Sequence, residues 1–365
     1  MFAFLLTMYN DIGLDITLIV DAARRVLAGQ AMYTDPTAAQ FGPTYPHYYG
    51  PPALAALYAP LAPLPDFLIV RVAFWAAFAL AGFGVWALLR SSDRPQPRRY
   101  LAAILTGIAL CYVVLGGAML GNPSMLILPL LALAFVGFER RSDWLVAFGI
   151  GTAMALRLYP VAMLIPLLIA GRYRAAAASI GVALVWVLIG ILFAGLPVTL
   201  DYIDVAIAIN SVADPHTIST NGSLTAVAWR LGASESVVQV VRIASIAGGL
   251  ALLVIGGLWL RRQDHSDRLI GFGLAVAGNL LLLGTTWDHY YVPLLIIVVG
   301  VVLATRQPIF GLAAMGLISA QLGGGLAMVW LPILGIAAVL LASRRRPAVA
   351  ADPRLLLDRS PPTVS

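Results

Sequence analysis

Long apolar segments follow one another through almost the whole chain, separated by short polar connections. A helix needs about 20 apolar residues to cross the roughly 30 Å hydrocarbon core of a bilayer. Within that core the backbone has to satisfy its own hydrogen bonds, which a continuous helix does. With 61% hydrophobic and 11% charged residues, the composition is also far from that of a soluble domain. The sequence therefore predicts an all-α, polytopic membrane protein.

About 12 membrane segments are predicted. The first, residues 1–9, is too short for a complete span, and we expect a truncated start or a native start further upstream. The others are residues 66–89, 100–120, 123–138, 144–158, 160–170, 175–194, 237–260, 269–286, 291–305, 308–322 and 326–342. Residues 1–342 are thus predicted to form one transmembrane domain. Residues 343–365 are predicted to form a basic, disordered tail.

Arginine placement predicts the orientation of these segments. All 23 basic residues are arginine, and short cytoplasmic loops of membrane proteins are enriched in positive charge. Arginines follow every second segment: Arg90, Arg94, Arg98, Arg99, Arg140, Arg141, Arg172, Arg174, Arg261, Arg262, Arg268, Arg306, Arg344, Arg345 and Arg346. Both termini are therefore predicted to be cytoplasmic in a multi-pass protein of the cell membrane. Residues 11–65 become the first extracytoplasmic loop, with two short amphipathic helices.

The sequence gives no indication of several common classes of site. There is no P-loop and no glycine-rich dinucleotide fingerprint, and no nucleic-acid partner is expected. The lone Cys111 excludes an internal disulfide or a cysteine-based metal site. No dense set of carboxylates or histidines indicates a metal, so we expect neither metal nor cofactor, with membrane lipid around the chain.

Asp15 lies where the first helix should leave the bilayer. An ionisable side chain at that depth is costly unless it has a partner or a function. The alternative is an ordinary cap, because aspartate is common at helix starts. Asp21 and Arg25 follow with the spacing of an i, i+4 ion pair, which we interpret as structural.

An aromatic stretch closes the same loop: Tyr45, His47, Tyr48 and Tyr49 precede Gly-Pro-Pro at residues 50–52. Prolines fix φ and glycine permits a tight turn, so the stretch is predicted to be a rigid elbow. Tyrosines at a membrane surface commonly serve as interfacial anchors. That interpretation accounts for the tyrosines but poorly for the histidine, so these four residues are candidates for substrate binding.

Further polar residues are predicted on the same outer face. Arg157 ends a segment, where it could snorkel to lipid phosphate or hold the phosphate of a bound substrate. His289, within Trp-Asp-His-Tyr-Tyr, occupies a matching position and is a catalytic candidate. Asn122, in Gly-Asn-Pro, is a candidate for substrate binding. Asn221 and Arg230 are candidates as well, at a predicted juxtamembrane helix within the connection of residues 196–236. Connections of this length usually have a function.

Together these stretches resemble the polyprenol-phosphate-mannose-dependent α-mannosyltransferases of glycosyltransferase family 87, in the GT-C superfamily. The resemblance runs in order over about residues 1–342, through the aspartate at position 15, Gly-Pro-Pro, Gly-Asn-Pro-Ser, Arg-Leu-Tyr-Pro, Asn-Gly-Ser-Leu and Trp-Asp-His-Tyr. Four motifs depart from the family's usual pattern. Its His-His becomes His289-Tyr290, its Lys-x-x-Pro begins at Arg157, its Gly-Gln-x-Asn becomes residues 121–124, and its Asn-Gln-Ser becomes residues 221–223.

The resemblance implies a GT-C-like fold and sugar transfer on the extracytoplasmic face, with Asp15 as general base. The implied partners are a polyprenyl-phosphate sugar donor and a glycolipid or glycan acceptor. The residues suit that reaction, because a phosphate leaving group needs a cation, the acceptor hydroxyl needs a base and sugar rings need aromatic surfaces. Direct displacement would invert the anomeric carbon. Mannose is the implied sugar, with arabinose or another pentose left open.

Two other classes of function stay open from the sequence. A transporter or lipid flippase also has many spans, with sites near the midplane between internal repeats. We find no internal repeat here, and the polar residues gather at one face, which favours an enzyme. An inactive partner subunit is the third possibility.

Overall fold

The structure is a computed structural model that describes residues 12–33, 48–92, 98–211, 221–284 and 286–306. The expectations for residues 1–9, for Tyr45 and His47, for the last two predicted segments and for the tail fall outside these residues. The described chain is helical, and the only β-type pairing within it is an isolated bridge between Asn221 and Trp287.

Fourteen α-helices lie in the described residues: α1 (Leu14–Leu27), α2 (Pro52–Tyr58), α3 (Asp66–Arg90), α4 (Arg98–Leu110), α5 (Tyr112–Leu120), α6 (Ser124–Glu139), α7 (Asp143–Leu156), α8 (Leu164–Ile169), α9 (Tyr173–Ala194), α10 (Leu196–Ser211), α11 (Leu224–Arg230), α12 (Glu235–Trp259), α13 (His265–Leu281) and α14 (Leu295–Thr305). Short 3₁₀ helices cover Ala59–Leu61, Tyr159–Met163 and Asp288–Leu294. The prediction of an all-α chain is confirmed.

Three helices in the described part of the chain are long and apolar enough to cross a membrane: α3, α9 and α12. Helices α5 and α6 pass the same criterion together, but the chain bends by 119° between them. The described helices therefore support three or four spans, and the twelve-segment topology stays a prediction.

Two of the predicted segments are not continuous helices. Residues 100–120 form α4 and α5, which are separated at Cys111 by an extended backbone conformation (φ −73°, ψ 119°). Residues 160–170 form a 3₁₀ turn followed by the six-residue α8, and together these cover less than about 20 Å. Pro160 and Pro166 each remove a backbone donor within this second segment, which is consistent with its broken helix.

The connection predicted at residues 196–236 is largely helical. Helix α10 continues from α9 after Gly195, whose φ of +92° changes the chain direction. Helix α11 lies where a helix is predicted near Asn221, and Ser223 caps it by accepting a hydrogen bond from the backbone N–H of Ala226 at 3.2 Å. The juxtamembrane position of this helix stays a prediction. Residues 212–220, between these two helices, lie outside the described part.

The first loop folds as the two short helices α1 and α2. Helix α1 is amphipathic and buries Ile16, Ile19 and Val20, and it packs on α2, α3 and α5. The predicted ion pair between Asp21 and Arg25 is wrong, because Asp21 Oδ1 instead accepts from Arg24 Nη1 at 2.9 Å.

Arg24 also connects α1 to the chain that follows α2. Its guanidinium donates to Asp66 Oδ1 at 2.7 Å and to the backbone carbonyls of Ala62 (3.0 Å) and Leu64 (2.7 Å). Asp21 pairs with Arg24 rather than Arg25 because Arg24 lies on the side of α1 that faces the start of α3.

Polar contacts at one end of the molecule join helices that the arginine pattern places on a common face. Glu139, at the end of α6, accepts from Arg268 Nε at 2.6 Å and contacts His265 Nδ1 at 2.9 Å. The other ring nitrogen of His265 lies 3.3 Å from Ser91 Oγ, just after α3. Helix α6 is about 24 Å long, and the residues that precede it lie at the opposite end.

Candidate active site

Two glycines bring the start of α1 against the end of α5. Gly13 has a φ of +79°, and its backbone N–H donates to the carbonyl of Met119 at 2.6 Å. Gly121 has a φ of +65°, and a Cβ there would lie 2.7 Å from Ile16. Glycine is favoured at both positions because it adopts this backbone conformation without a steric penalty. This close approach places Asp15, in the first turn of α1, beside Asn122.

Asn122 links the carboxylate to the rest of the site. Its Nδ2 donates to Asp15 Oδ2 at 2.6 Å. Its Oδ1 accepts from Arg157 Nη2 at 3.1 Å and from the backbone N–H of Ser124 at 2.8 Å. The side chain is 4% exposed, so this network is largely shielded from water.

Arg157 is held at the end of α7, where the backbone turns extended (φ −147°, ψ 119°). Its Nη1 donates to the hydroxyl of Tyr290 at 2.9 Å, and its Cζ lies 5.1 Å from the centre of the Tyr290 ring. Tyr159 stacks on the other side of that ring at 5.3 Å between centroids. A partly buried guanidinium is thus stabilised by a hydrogen bond and by the aromatic face.

Four buried polar atoms in this region have no hydrogen-bond partner in the structure: Ser124 Oγ, Arg157 Nε, Tyr159 OH and His289 Nε2. Buried polar groups in proteins are normally satisfied. Three of these residues, Arg157, Tyr159 and His289, contact the Tyr290 ring, and the fourth, Ser124, donates its backbone N–H to Asn122. Their proximity indicates a place that a polar ligand or ordered water completes.

His289 lies in the connection between α13 and α14 and is 9% exposed. Its ring is nearly parallel to that of Trp287 at 6.2 Å and meets Tyr290 edge-on at 5.1 Å. Burial, and secondarily the charge of Arg157, lowers the pKa of His289 well below its usual value of 6.5. The imidazole is therefore neutral at physiological pH.

Of the predicted elbow, the structure describes residues 48–52. The hydroxyl of Tyr48 donates to the carbonyl of Pro51 at 2.7 Å, and its ring stacks on Tyr33 at 6.0 Å. Tyr33 in turn donates to the carbonyl of Gly50 at 2.8 Å. The Tyr48 hydroxyl is therefore used inside the elbow, whereas Tyr49 is partly buried against the same cluster.

Asn221 contacts the segment that carries His289, and Arg230 contacts Asn221. Asn221 Oδ1 accepts from the backbone N–H groups of Ser223 at 3.0 Å and Thr286 at 3.1 Å. Arg230 Nη1 donates to the Asn221 carbonyl at 2.6 Å. These contacts connect the start of α11 to residues 286–287, which makes both residues supports of the site in this structure.

Tyr290 and Tyr159 are the site residues that sequence reasoning missed. Tyr290 was noted only as a departure from the His-His pattern, and Tyr159 only as part of Arg-Leu-Tyr-Pro. The adjacency of Tyr290 to His289 was the one available signal, and it gives no indication of a contact with Arg157. Among the residues that the structure describes, no three His, Cys, Asp or Glu side chains lie together as a metal site would need.

The fold and this cluster define a class: a helical membrane protein that carries a buried carboxylate, amide and guanidinium network at one end. The sequence profile of glycosyltransferase family 87 matches residues 48–285. The chain belongs to this family and is a membrane glycosyltransferase.

A curated relative supports the same assignment. The chain is 25% identical over 342 residues to the polyprenol-phosphate-mannose-dependent alpha-(1-2)-phosphatidylinositol mannoside mannosyltransferase of Mycolicibacterium smegmatis, a match that covers 88% of this chain and 76% of the relative. No solved structure matches the chain.

Proposed function

We propose that this protein transfers mannose from a polyprenyl-phosphate donor to a glycolipid acceptor, with inversion, on the extracytoplasmic face of the membrane. The observation that carries the proposal is the network that joins Asp15 to Arg157 through Asn122, because it holds a carboxylate and a cation side by side. Family membership and the name of the relative support the class of donor and acceptor.

In the proposed step Asp15 removes the proton from an acceptor hydroxyl. The hydroxyl oxygen then attacks the anomeric carbon of the donor sugar, and the bond between that carbon and the phosphate oxygen breaks. The electron pair leaves with polyprenyl phosphate, whose negative charge Arg157 stabilises. A single displacement converts a β-linked donor into an α-linked product. The proposal uses no metal or cofactor.

The aromatic side chains around Arg157 are proposed to form the sugar-binding surface, with Tyr290 and Trp287 beside neutral His289. A neutral imidazole can exchange a hydrogen bond with a sugar hydroxyl without adding charge to the site. His289 is therefore proposed as a contact of the reacting sugar, and as a base only if Asp15 is not. Tyr45, His47 and Tyr49, from the predicted elbow, are also proposed to bind the substrate.

The test uses purified protein in lipid with radiolabelled polyprenyl-phosphate mannose and a panel of glycolipid acceptors. Asp15→Asn keeps the shape of the side chain and removes the proton acceptor, so we expect kcat to fall about 10²–10⁴-fold. Donor binding should survive, because the carboxylate does not hold the phosphate. Asp21→Asn is the control, since Asp21 pairs with Arg24 on the surface of α1.

Three outcomes decide the proposal. Consumption of a polyprenyl-phosphate arabinose in place of the mannose donor would replace the sugar and keep the mechanism. A wild-type rate for Asp15→Asn together with an inactive Asp21→Asn would move the base to Asp21. Activity in both variants would show that the base lies elsewhere and would make His289 the next candidate.

A further inference from the structure

Asn122 has little hydrogen-bonding capacity left for a substrate. A side-chain amide offers two N–H donors and two acceptor lone pairs. Both lone pairs of Oδ1 are engaged, by Arg157 and by the backbone of Ser124, and one N–H is given to Asp15. Because both partners of Oδ1 can only donate, the orientation of the amide is fixed, and Nδ2 necessarily faces the carboxylate.

We propose that Asn122 is a positioning residue that holds Asp15 in its ionised, reactive orientation and couples it to the cation of Arg157. This inference rests on the proposed function, in which Asp15 is the base, and it replaces the substrate-binding role predicted from the sequence. The Asn122 amide donates to Asp15 and accepts from the Arg157 guanidinium. A change in charge or position of either residue therefore affects the other through the Asn122 side chain.

The short contact to Asp15 favours the charged form of the carboxylate, because a donor stabilises the anion more than the acid. Removing the donor should therefore make Asp15 easier to protonate. Arg157 and Tyr290 are two ionisable groups that interact electrostatically with Asp15. The helices packed against α1 also carry Tyr58 on α2, Asp66 and Arg71 on α3, and Tyr112 on α5.

The pH profile of kcat/KM for the mannose donor tests this role, because it reports the essential groups of the free enzyme. Asn122→Ala removes the donor to Asp15 without adding charge and is the decisive variant. Asn122→Asp keeps an oxygen that accepts from Arg157 and Ser124, but it replaces the donor to Asp15 by a second carboxylate, whose negative charge also favours protonation of Asp15. We expect the acid limb of the profile to move up by about one pH unit or more. The rate at the wild-type optimum should fall about 10- to 100-fold, as for loss of a hydrogen bond to a charged group. Asn122→Ala should shift the limb in the same direction.

Asn279→Ala is the matched control. Asn279 is 2% exposed, near the end of α13, and its Oδ1 has no partner among the described residues, so its removal tests the general cost of losing a buried amide. The control should leave the acid limb in place.

Two results would overturn the inference. An unmoved acid limb in both Asn122 variants, with Asp15→Asn inactive, would leave the base intact and show that Asn122 does not position it. A raised donor KM with an unchanged profile would return Asn122 to substrate binding. If Asp15→Asn is fully active, the proposed function itself fails, and the positioning role fails with it.

Discussion

Arg157 illustrates how a charged side chain is kept in an apolar protein. Moving a guanidinium out of water is costly unless hydrogen bonds replace its hydration. Here the partners are neutral: the Asn122 amide, the Tyr290 hydroxyl and the face of the Tyr290 ring. The carboxylate of Asp15 reaches the guanidinium only through Asn122. Among the described residues Arg157 therefore has no direct ion pair that would compete with the proposed donor phosphate.

We predict that Arg157→Ala raises the donor KM at least tenfold or abolishes turnover. Arg157→Lys should retain part of the activity, because the charge survives and the bidentate geometry does not. Steady-state kinetics with varied donor concentration measures both. Unchanged donor kinetics for the alanine variant would assign Arg157 to contacts with lipid headgroups.

Tyrosine variants separate this role from a loss of stability. Tyr290→Phe keeps the ring against the guanidinium and removes only the hydroxyl, so its donor KM should lie between those of wild type and Arg157→Ala. Tyr291→Phe is the control, because Tyr290 and Tyr291 are both 7% exposed but the Tyr291 hydroxyl bonds to Gly222 and Thr286. Equal donor KM values for the two variants would contradict a specific effect on Arg157.

Helix α1 brings Asp15, the proposed base, to the site through close backbone contact. The turn at Gly121 leaves no space for a side chain beside Ile16, so α1 can approach α5 closely enough for Asp15 to reach Asn122. Arg24 fixes the same helix from its other end through the start of α3.

We predict that Gly121→Ala lowers both stability and kcat. A left-handed conformation costs alanine about 1–2 kcal/mol, and overpacking against Ile16 adds about 1–3 kcal/mol. The control is Gly29→Ala, which has a φ of +71° and nothing within 4 Å of the added Cβ. Thermal unfolding in detergent and kcat measure both effects. If the two variants lose the same stability and Gly121→Ala keeps its kcat, the close approach does not position Asp15.

The molecule has two chemically different ends. The site lies at the start of α6, whereas the contacts of Glu139 with His265 and Arg268 lie at its other end, among the arginine-rich connections. Helix α12 begins beside α11 at the site end and is about 38 Å long, which is long enough to cross a membrane.

Cysteine labelling of α12 tests on which side the site lies. In a background with Cys111 replaced by alanine, we predict that Ser236→Cys reacts with an impermeant thiol reagent on intact cells. Arg261→Cys should react only after permeabilisation. Both positions are exposed in the structure, so access to the residue itself is matched. The reverse labelling pattern would place the site in the cytoplasm.

The helical class and the short helices at residues 14–27 and 52–58 follow from local sequence, as does the choice of Asp15 and Arg157 as candidate site residues. Apolar length decides which segments become helices, and a charge inside an apolar chain is informative because burying it is costly. The same reasoning did not predict the break at Cys111, because no proline or glycine adjoins it. It also did not give the helical state of residues 196–211, where the long connection suggested a loop.

The roles of Asn122 and Tyr290 depend on contacts between distant segments. Asp15 and Asn122 are 107 positions apart, and Arg157 and Tyr290 are 133 positions apart. The local sequences Gly121-Asn122 and His289-Tyr290 do not indicate which residue the asparagine or the tyrosine contacts. The partner is decided by which helix ends meet when the apolar faces pack, and this also explains why Asp21 pairs with Arg24 and not Arg25. Local chemistry thus determined which residues needed partners, and packing determined which partners they received.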